Sequence, residues 1–103
     1  MITRTMAPSI LRLAKHFPVI TITGPRQSGK TTLAKALFPH YAYHNLENPD
    51  VLAAAQADPR TFLKLGTKDP MIIDEVQRYP ELLSYMQDEV DTQKLSGRYI
   101  ITG

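Results

Sequence analysis

The chain has 103 residues, of which 43% are hydrophobic and 21% charged, and its formal net charge is +2. This composition excludes a disordered protein, and the length permits one domain with a small core. No apolar run approaches the roughly 20 residues of a membrane-spanning helix, and the lack of cysteine excludes a disulfide framework or a thiolate metal site. We therefore expect a cytoplasmic globular domain with no membrane partner.

Short apolar runs and helical segments alternate along the chain. The predicted strands are Val19–Thr23, Tyr41–Leu46, Met71–Ile73 and Arg98–Thr102. The predicted helices are Ala7–His16, a helix from Lys30 that ends before Pro39, two helices capped by Asn48 and Asp58, and a helix opened by Pro80. Gly66 is expected to end the helix that Asp58 starts. The alternation predicts an α/β fold, with a parallel sheet of about four strands and helices on both faces.

The segment Gly24–Thr31 fits the phosphate-loop pattern G-x-x-x-x-G-K-[ST] at every fixed position, between a predicted strand and a predicted helix. Successive backbone N–H groups would wrap the β-phosphate, and side chains at the two glycines would obstruct that wrap. The Lys30 ammonium is predicted to contact the β- and γ-phosphates, and the Thr31 hydroxyl is a hard oxygen ligand for Mg2+. The predicted ATP-binding residues are Gly24, Pro25, Arg26, Gln27, Ser28, Gly29, Lys30, Thr31 and Thr32.

Two acidic residues, Asp74 and Glu75, follow the predicted strand Met71–Ile73. An acid at the end of an apolar strand, downstream of a phosphate loop, has the position of a Walker B residue. Asp74 is predicted to hold Mg2+ through water, and Glu75 to be the base that orients the attacking water. Glu75 and Lys30 are therefore the predicted catalytic residues, and Thr31 and Asp74 form the predicted metal site. Together with the phosphate loop, these residues predict a three-layer P-loop NTPase sandwich.

Basic and acidic side chains are unevenly distributed. Residues 1–46 carry six basic side chains and no acid, whereas residues 47–103 carry six basic and ten acidic ones. A positive first half suits a polyanionic ligand such as a nucleoside triphosphate. A solvated basic face is the alternative interpretation. The basic residues are not clustered with aromatic ones, so nucleic-acid binding stays an unsupported alternative.

The chain resembles the AAA-type ATPases of bacteria and archaea that carry a C-terminal DUF4143 domain. The matching segments are GPRQSGKTTL, IIDEVQRYPELL and GRYIITG, with the stretch Asn45–Asp50 and the alanine-rich helix after it. The resemblance implies the same roles for the loop and the two acids. It further implies that residues around Thr102 lie where the family keeps its sensor-1 position, whose polar side chain would fall at or just past Gly103. It also implies that residues 1–103 are the N-terminal portion of a truncated ATPase domain, which lacks a fifth strand, an arginine finger and the C-terminal domain.

The predicted function is hydrolysis of Mg-ATP to ADP and phosphate. In this fragment the rate is expected to be weak or undetectable, because an arginine finger is worth roughly 10³–10⁵ in rate. A small P-loop kinase is one alternative, although an acid directly after Asp74 argues against it. A nucleotide-binding module without turnover is another. A GTPase is disfavoured because the chain has no Asn-Lys-x-Asp guanine signature.

The strand order of the resembled class predicts an exposed sheet edge. In that order Arg98–Thr102 inserts between Val19–Thr23 and Met71–Ile73, and a fifth strand covers the far side of Val19–Thr23. Without the fifth strand, β-branched residues form an unpaired edge that no proline or bulge protects. Self-association through this edge is the expected consequence.

Overall fold

The fold is taken from a computed structural model, which describes residues 11–22, 29–93 and 97–103 without the side chains of residues 30, 65–68 and 93. Residues 11–14 are helical. The strands are β1 (Val19–Ile22), β2 (Ala42–Asn45), β3 (Met71–Asp74) and β4 (Tyr99–Thr102). The helices are α1 (Lys30–Leu37), α2 (Pro49–Ala57), α3 (Pro59–Lys68) and α4 (Leu82–Gln93), with a 3-10 helix at Val76–Arg78.

The strands form one parallel sheet in the order β1-β4-β3-β2. Tyr99 pairs with Val19 on one side and with Met71 on the other. The last strand in the sequence therefore lies between the first and the third, and this predicted insertion is confirmed. Because all strands run the same way, their carboxyl ends meet at one edge of the sheet.

Side chains alternate between the two faces of the sheet, and both faces are covered. On the first face, the buried strand residues Met71, Ile73, Tyr99 and Ile101 pack against side chains of α2, α3 and α4. On the second face, the strand residues Ile20, Ile22, Ile72 and Ile100 pack against Ala34 and Phe38 of α1 and the segment after it. The predicted α/β sandwich with helices on both faces is therefore confirmed.

Two helix starts have the predicted caps. The Asn48 side chain accepts a hydrogen bond of 2.9 Å from the Asp50 amide, and Pro49 occupies the first turn of α2. The Asp58 carboxylate accepts from both the amide and the hydroxyl of Thr61 at the start of α3. These side chains satisfy amide groups that have no partner within the helix.

The predicted end of α3 at Gly66 is wrong, because the helix continues to Lys68. Glycine inside a helix costs only about 1 kcal/mol relative to alanine, so it does not end a helix by itself. Pro70 explains the observed end, since proline disfavours the helical conformation of the residue before it. The helix predicted to open at Pro80 begins two residues later, at Leu82. The first part of the predicted helix Ala7–His16 lies outside the described residues.

Gly97 forms the turn that leads into β4. Its φ of +63° is a left-handed conformation that favours glycine. A Cβ atom there would lie 2.7 Å from the Ala14 carbonyl oxygen. The Gly97 carbonyl accepts a hydrogen bond of 2.7 Å from the Tyr41 hydroxyl. The turn therefore fixes β4 against the two segments that precede β1 and β2.

Candidate nucleotide-binding site

The predicted phosphate-loop residues follow β1 in the sequence and extend into the start of α1. Of the predicted loop, residues 24–28 and the side chain of Lys30 lie outside the described part of the chain. Gly29 precedes α1 with a φ of +80°, and its carbonyl accepts a hydrogen bond of 2.8 Å from the Leu33 amide. Glycine is favoured there because L-residues rarely adopt this conformation. Thr31 is partly buried in the first turn of α1, whereas Thr32 is exposed.

Asp74 is the centre of the described site. It ends β3 with 4% of its surface exposed, and its carboxylate accepts four hydrogen bonds. Oδ2 accepts from the Thr31 hydroxyl at 2.8 Å and from the Tyr43 hydroxyl at 2.5 Å. Oδ1 accepts from the Glu75 amide at 2.9 Å and from the Thr102 hydroxyl. The carboxylate thus joins β2, β3 and β4 to α1.

These hydrogen bonds determine the charge state of Asp74. Burial by itself raises the pKa of Asp74, but the donors from Thr102, Tyr43, Thr31 and the Glu75 amide together lower it below the ordinary value of 3.8. Burial also raises the pKa of Tyr43, and the hydrogen bond to Asp74 raises it further. At neutral pH the site therefore holds an ionised carboxylate and a protonated phenol that donates to it.

Tyr43 and Thr102 contact Asp74, and neither contact was predicted from the sequence. Tyr43 lies on β2 opposite Ile72, and the ammonium of Lys35 lies 3.9 Å from the centre of its ring. Thr102 is fully buried at the end of β4. For Thr102, the available signal was a polar residue at the end of an apolar strand. Because the carboxyl ends of parallel strands meet at one edge, such a residue can lie close to Asp74. For Tyr43, no feature of the sequence distinguished a hydrogen-bond donor to Asp74 from an ordinary core residue.

Glu75 follows Asp74 in a left-handed backbone conformation, with φ of 58° and ψ of 45°. Its carbonyl accepts a hydrogen bond of 3.0 Å from the Arg78 amide, which closes the 3-10 turn. Its side chain is partly exposed, and Oε2 accepts a hydrogen bond from the Gln77 amide group. The two adjacent acids therefore have different environments. The Asp74 carboxylate is buried and accepts four hydrogen bonds, whereas the partly exposed Glu75 carboxylate has one hydrogen-bond partner among the described residues.

The parallel sheet order and the Thr31–Asp74 contact define the class of protein, an α/β fold of the P-loop NTPase type. The chain belongs to the AAA domain family, which it matches over residues 16–103. In the described ranges, every helix is too short or too polar to cross a lipid bilayer.

Relatives of this chain occur in mycobacteria. The uncharacterized proteins Rv2008c of Mycobacterium tuberculosis and Mb2031c of Mycobacterium bovis are each 39% identical to it over 107 aligned positions. Each alignment covers 100% of this chain but 24% of the relative. The chain therefore spans about a quarter of the length of these proteins. No solved structure gives a significant match.

The hydrogen bonds to Asp74 predict a loss of stability in acid. Because the pKa of Asp74 is lower in the folded chain than its ordinary value of 3.8, its stabilising effect is complete above about pH 5 and is lost as the pH falls through the folded-state pKa. We expect the difference in unfolding free energy between the wild type and Asp74→Asn to shrink from about pH 5 to about pH 2. Urea denaturation measures it. A difference that is constant over this range would contradict the prediction.

Proposed function

We propose that this chain is the nucleotide-binding part of an ATPase that hydrolyses Mg-ATP to ADP and phosphate. The observation that carries the proposal is the 2.8 Å hydrogen bond from the Thr31 hydroxyl to Asp74 Oδ2, across 43 positions of sequence. It places the hydroxyl that follows the phosphate-loop lysine beside the acid that ends β3. A P-loop NTPase needs these two oxygen groups together, because both hold the same metal ion.

The groups around Thr31 and Asp74 fit a magnesium ion. Thr31 donates a hydrogen bond to Asp74, so the lone pairs of the Thr31 hydroxyl oxygen stay available to a cation. The Asp74 oxygens already accept four hydrogen bonds, which favours contact with the ion through a bound water. Hard oxygen groups suit Mg2+, which usually keeps several of its waters. Bound magnesium would neutralise charge on the β- and γ-phosphates.

The other residues of the chain supply positioning and proton transfer. Backbone amides of residues 24–29 and the Lys30 ammonium would bind the phosphates, and the positive end of α1 would favour their charge. The Glu75 carboxylate accepts a proton from water as the water oxygen bonds to the γ-phosphorus. The bond from that phosphorus to the bridging oxygen breaks, and ADP leaves with the bridging oxygen. Water is thus the acceptor of the γ-phosphoryl group, and the oxygen atom of that water ends in the released phosphate.

Hydrolysis in water enriched in 18O tests this reaction directly. The full-length protein is incubated with Mg-ATP, and the products are examined by mass spectrometry. We expect ADP and phosphate with one 18O atom per turnover. Phosphate transfer to an added hydroxyl compound, with no labelled phosphate, would support a small P-loop kinase instead. Tight Mg-ATP binding without any product would support a binding module without turnover.

We also propose, on the resemblance alone, that the ATPase domain is joined to a C-terminal DUF4143 domain. The greater length of the mycobacterial relatives is compatible with a further domain. A cytoplasmic location is also proposed, because a chain without cysteine suits a reducing compartment.

We propose that the isolated 103-residue chain self-associates through β1. This strand pairs with β4 on one side and has no partner on its other side among the described residues. Thr21 on β1 is exposed, so Thr21→Lys adds a charge at this edge without filling the core. Charged side chains on edge strands disfavour pairing between molecules.

Light scattering at matched concentrations tests the role of β1. We expect wild type to form oligomers or aggregates and Thr21→Lys to shift the distribution towards monomer. Thr92→Lys, at an exposed position of α4, is the control for net charge and should behave as wild type. A monomeric wild-type chain would contradict the proposal.

A further inference from the structure

Gln77 occupies the space between Glu75 and the end of β4. Its side-chain nitrogen donates a hydrogen bond to Glu75 Oε2. Its side-chain oxygen faces Gly103, the residue directly after β4. We propose that Gln77 is a positioning residue, which holds the Glu75 carboxylate in the orientation required for proton transfer, and that Gly103 provides the space for it. This inference rests on the proposed role of Glu75 as the base.

The backbone around Glu75 is already fixed by two hydrogen bonds. The Glu75 amide donates to Asp74 Oδ1 at 2.9 Å, and the Glu75 carbonyl accepts from the Arg78 amide at 3.0 Å. These contacts hold the left-handed backbone and thereby set the direction of the Cα–Cβ bond. These backbone contacts leave the side-chain torsions of Glu75 unrestrained, and among the described residues Gln77 supplies the hydrogen bond that restrains them.

Gly103 determines whether the Gln77 side chain can stay in this place. A Cβ atom on residue 103 would overlap the side-chain oxygen of Gln77 and would lie 3.1 Å from the Val76 amide nitrogen. Any larger residue would therefore require the side-chain oxygen of Gln77 to move from its place. Thr102 donates to Asp74 from the same strand end, so the end of β4 contacts one acid directly and leaves room for the Gln77 side chain that contacts the other.

The hydrogen bond to Oε2 has a specific consequence for the base. It fixes one carboxylate oxygen and leaves Oε1 without a described partner, so Oε1 can accept the proton of water. A restrained base needs to lose less conformational freedom when the reacting atoms align. Gln77 acts through Glu75 and needs no contact with nucleotide, so its removal should change turnover and leave binding intact.

Gln77→Met tests the donor while it keeps the length of the side chain. In the full-length protein we expect kcat to fall by between about 10-fold and 100-fold, with KM, Mg-ATP affinity and melting temperature unchanged. Gly103→Ala should lower kcat in the same direction by displacing the Gln77 side chain. Gln87→Met, at an exposed glutamine of α4 that bonds Asp91, is the control and should keep wild-type turnover.

Combination with Glu75→Gln separates positioning from a structural role. If Gln77 acts through Glu75, then Gln77→Met should cause no further loss in the Glu75→Gln background. An equal loss in both backgrounds would overturn the proposal, as would wild-type kcat in Gln77→Met. Gln77→Glu keeps the shape but replaces the donor with a like charge, and it should be at least as slow as Gln77→Met. Gln77→Glu therefore tests the same hydrogen bond if Gln77→Met fails to fold.

A readout without turnover distinguishes failure of this inference from failure of the proposed function. Crystal structures of wild type and Gln77→Met with a non-hydrolysable ATP analogue should show one Glu75 side-chain position in wild type and several in the variant. The same single position in both would overturn the positioning role. If wild type is inactive but Glu75 is still ordered in wild type and disordered in Gln77→Met, then the proposed hydrolysis is refuted. The role of Gln77 in positioning Glu75 is retained in that case.

Discussion

Glu75→Gln should lower the kcat for ATP hydrolysis by at least about 100-fold, because a general base contributes typically 10²–10⁴ to the rate. The substitution retains the size of the side chain and can still accept a hydrogen bond from Gln77, but it cannot take a proton from water. ATP affinity should change by less than about twofold, since the proposed role of Glu75 begins after binding. Steady-state kinetics on the full-length protein and calorimetric titration with Mg-ATP give the two values.

Glu81→Gln is the matched control for this experiment. Glu81 is exposed just before α4, and the same change of charge there should leave both kcat and affinity at wild-type values. Full turnover by Glu75→Gln would show that the base is another group. A parallel loss of affinity would show instead that Glu75 acts in binding.

Lys30→Ala should weaken Mg-ATP binding by more than about tenfold. Hydrogen bonds to charged groups contribute roughly 1.5–3 kcal/mol, and about 1.4 kcal/mol corresponds to a tenfold change in dissociation constant. The expected loss is large because the lysine would place its charge directly on the β- and γ-phosphates. Calorimetric titration of the full-length protein measures it, provided that the melting temperature of the variant matches wild type.

Lys15→Ala controls for the removal of one positive charge. Lys15 is exposed in the turn after the helical residues 11–14, and we expect its loss to change affinity by less than about twofold at physiological salt, where exposed charges are screened. Equal affinity of wild type and Lys30→Ala would remove the phosphate-loop assignment. Weakening of both variants alike would indicate non-specific attraction by the basic first half.

The spacing of apolar residues predicted the strands and the class of fold. The runs around Ile72 and Ile100 are short and mostly apolar, as expected of parallel strands buried on both faces. The run around Ile20 is rich in β-branched residues, which favour strands. The caps at Asn48 and Asp58 were also predictable, because a cap depends on neighbouring residues in sequence. The continuation of α3 through Gly66 was not, since a local preference of about 1 kcal/mol is easily exceeded by the continued helix.

The sequence by itself determined the candidate chemistry, because the phosphate-loop pattern and the paired acids Asp74 and Glu75 depend on the order of residues along the chain. Only the tertiary structure decided which side chains surround those acids. Tyr43, Thr102 and Gln77 reach them because parallel strands converge at one edge and because the backbone turns sharply at Glu75. The contact of Tyr43 with Asp74 spans 31 positions of the sequence, and the contact of Thr31 with Asp74 spans 43. They depend on strand order and register, which local preferences do not specify.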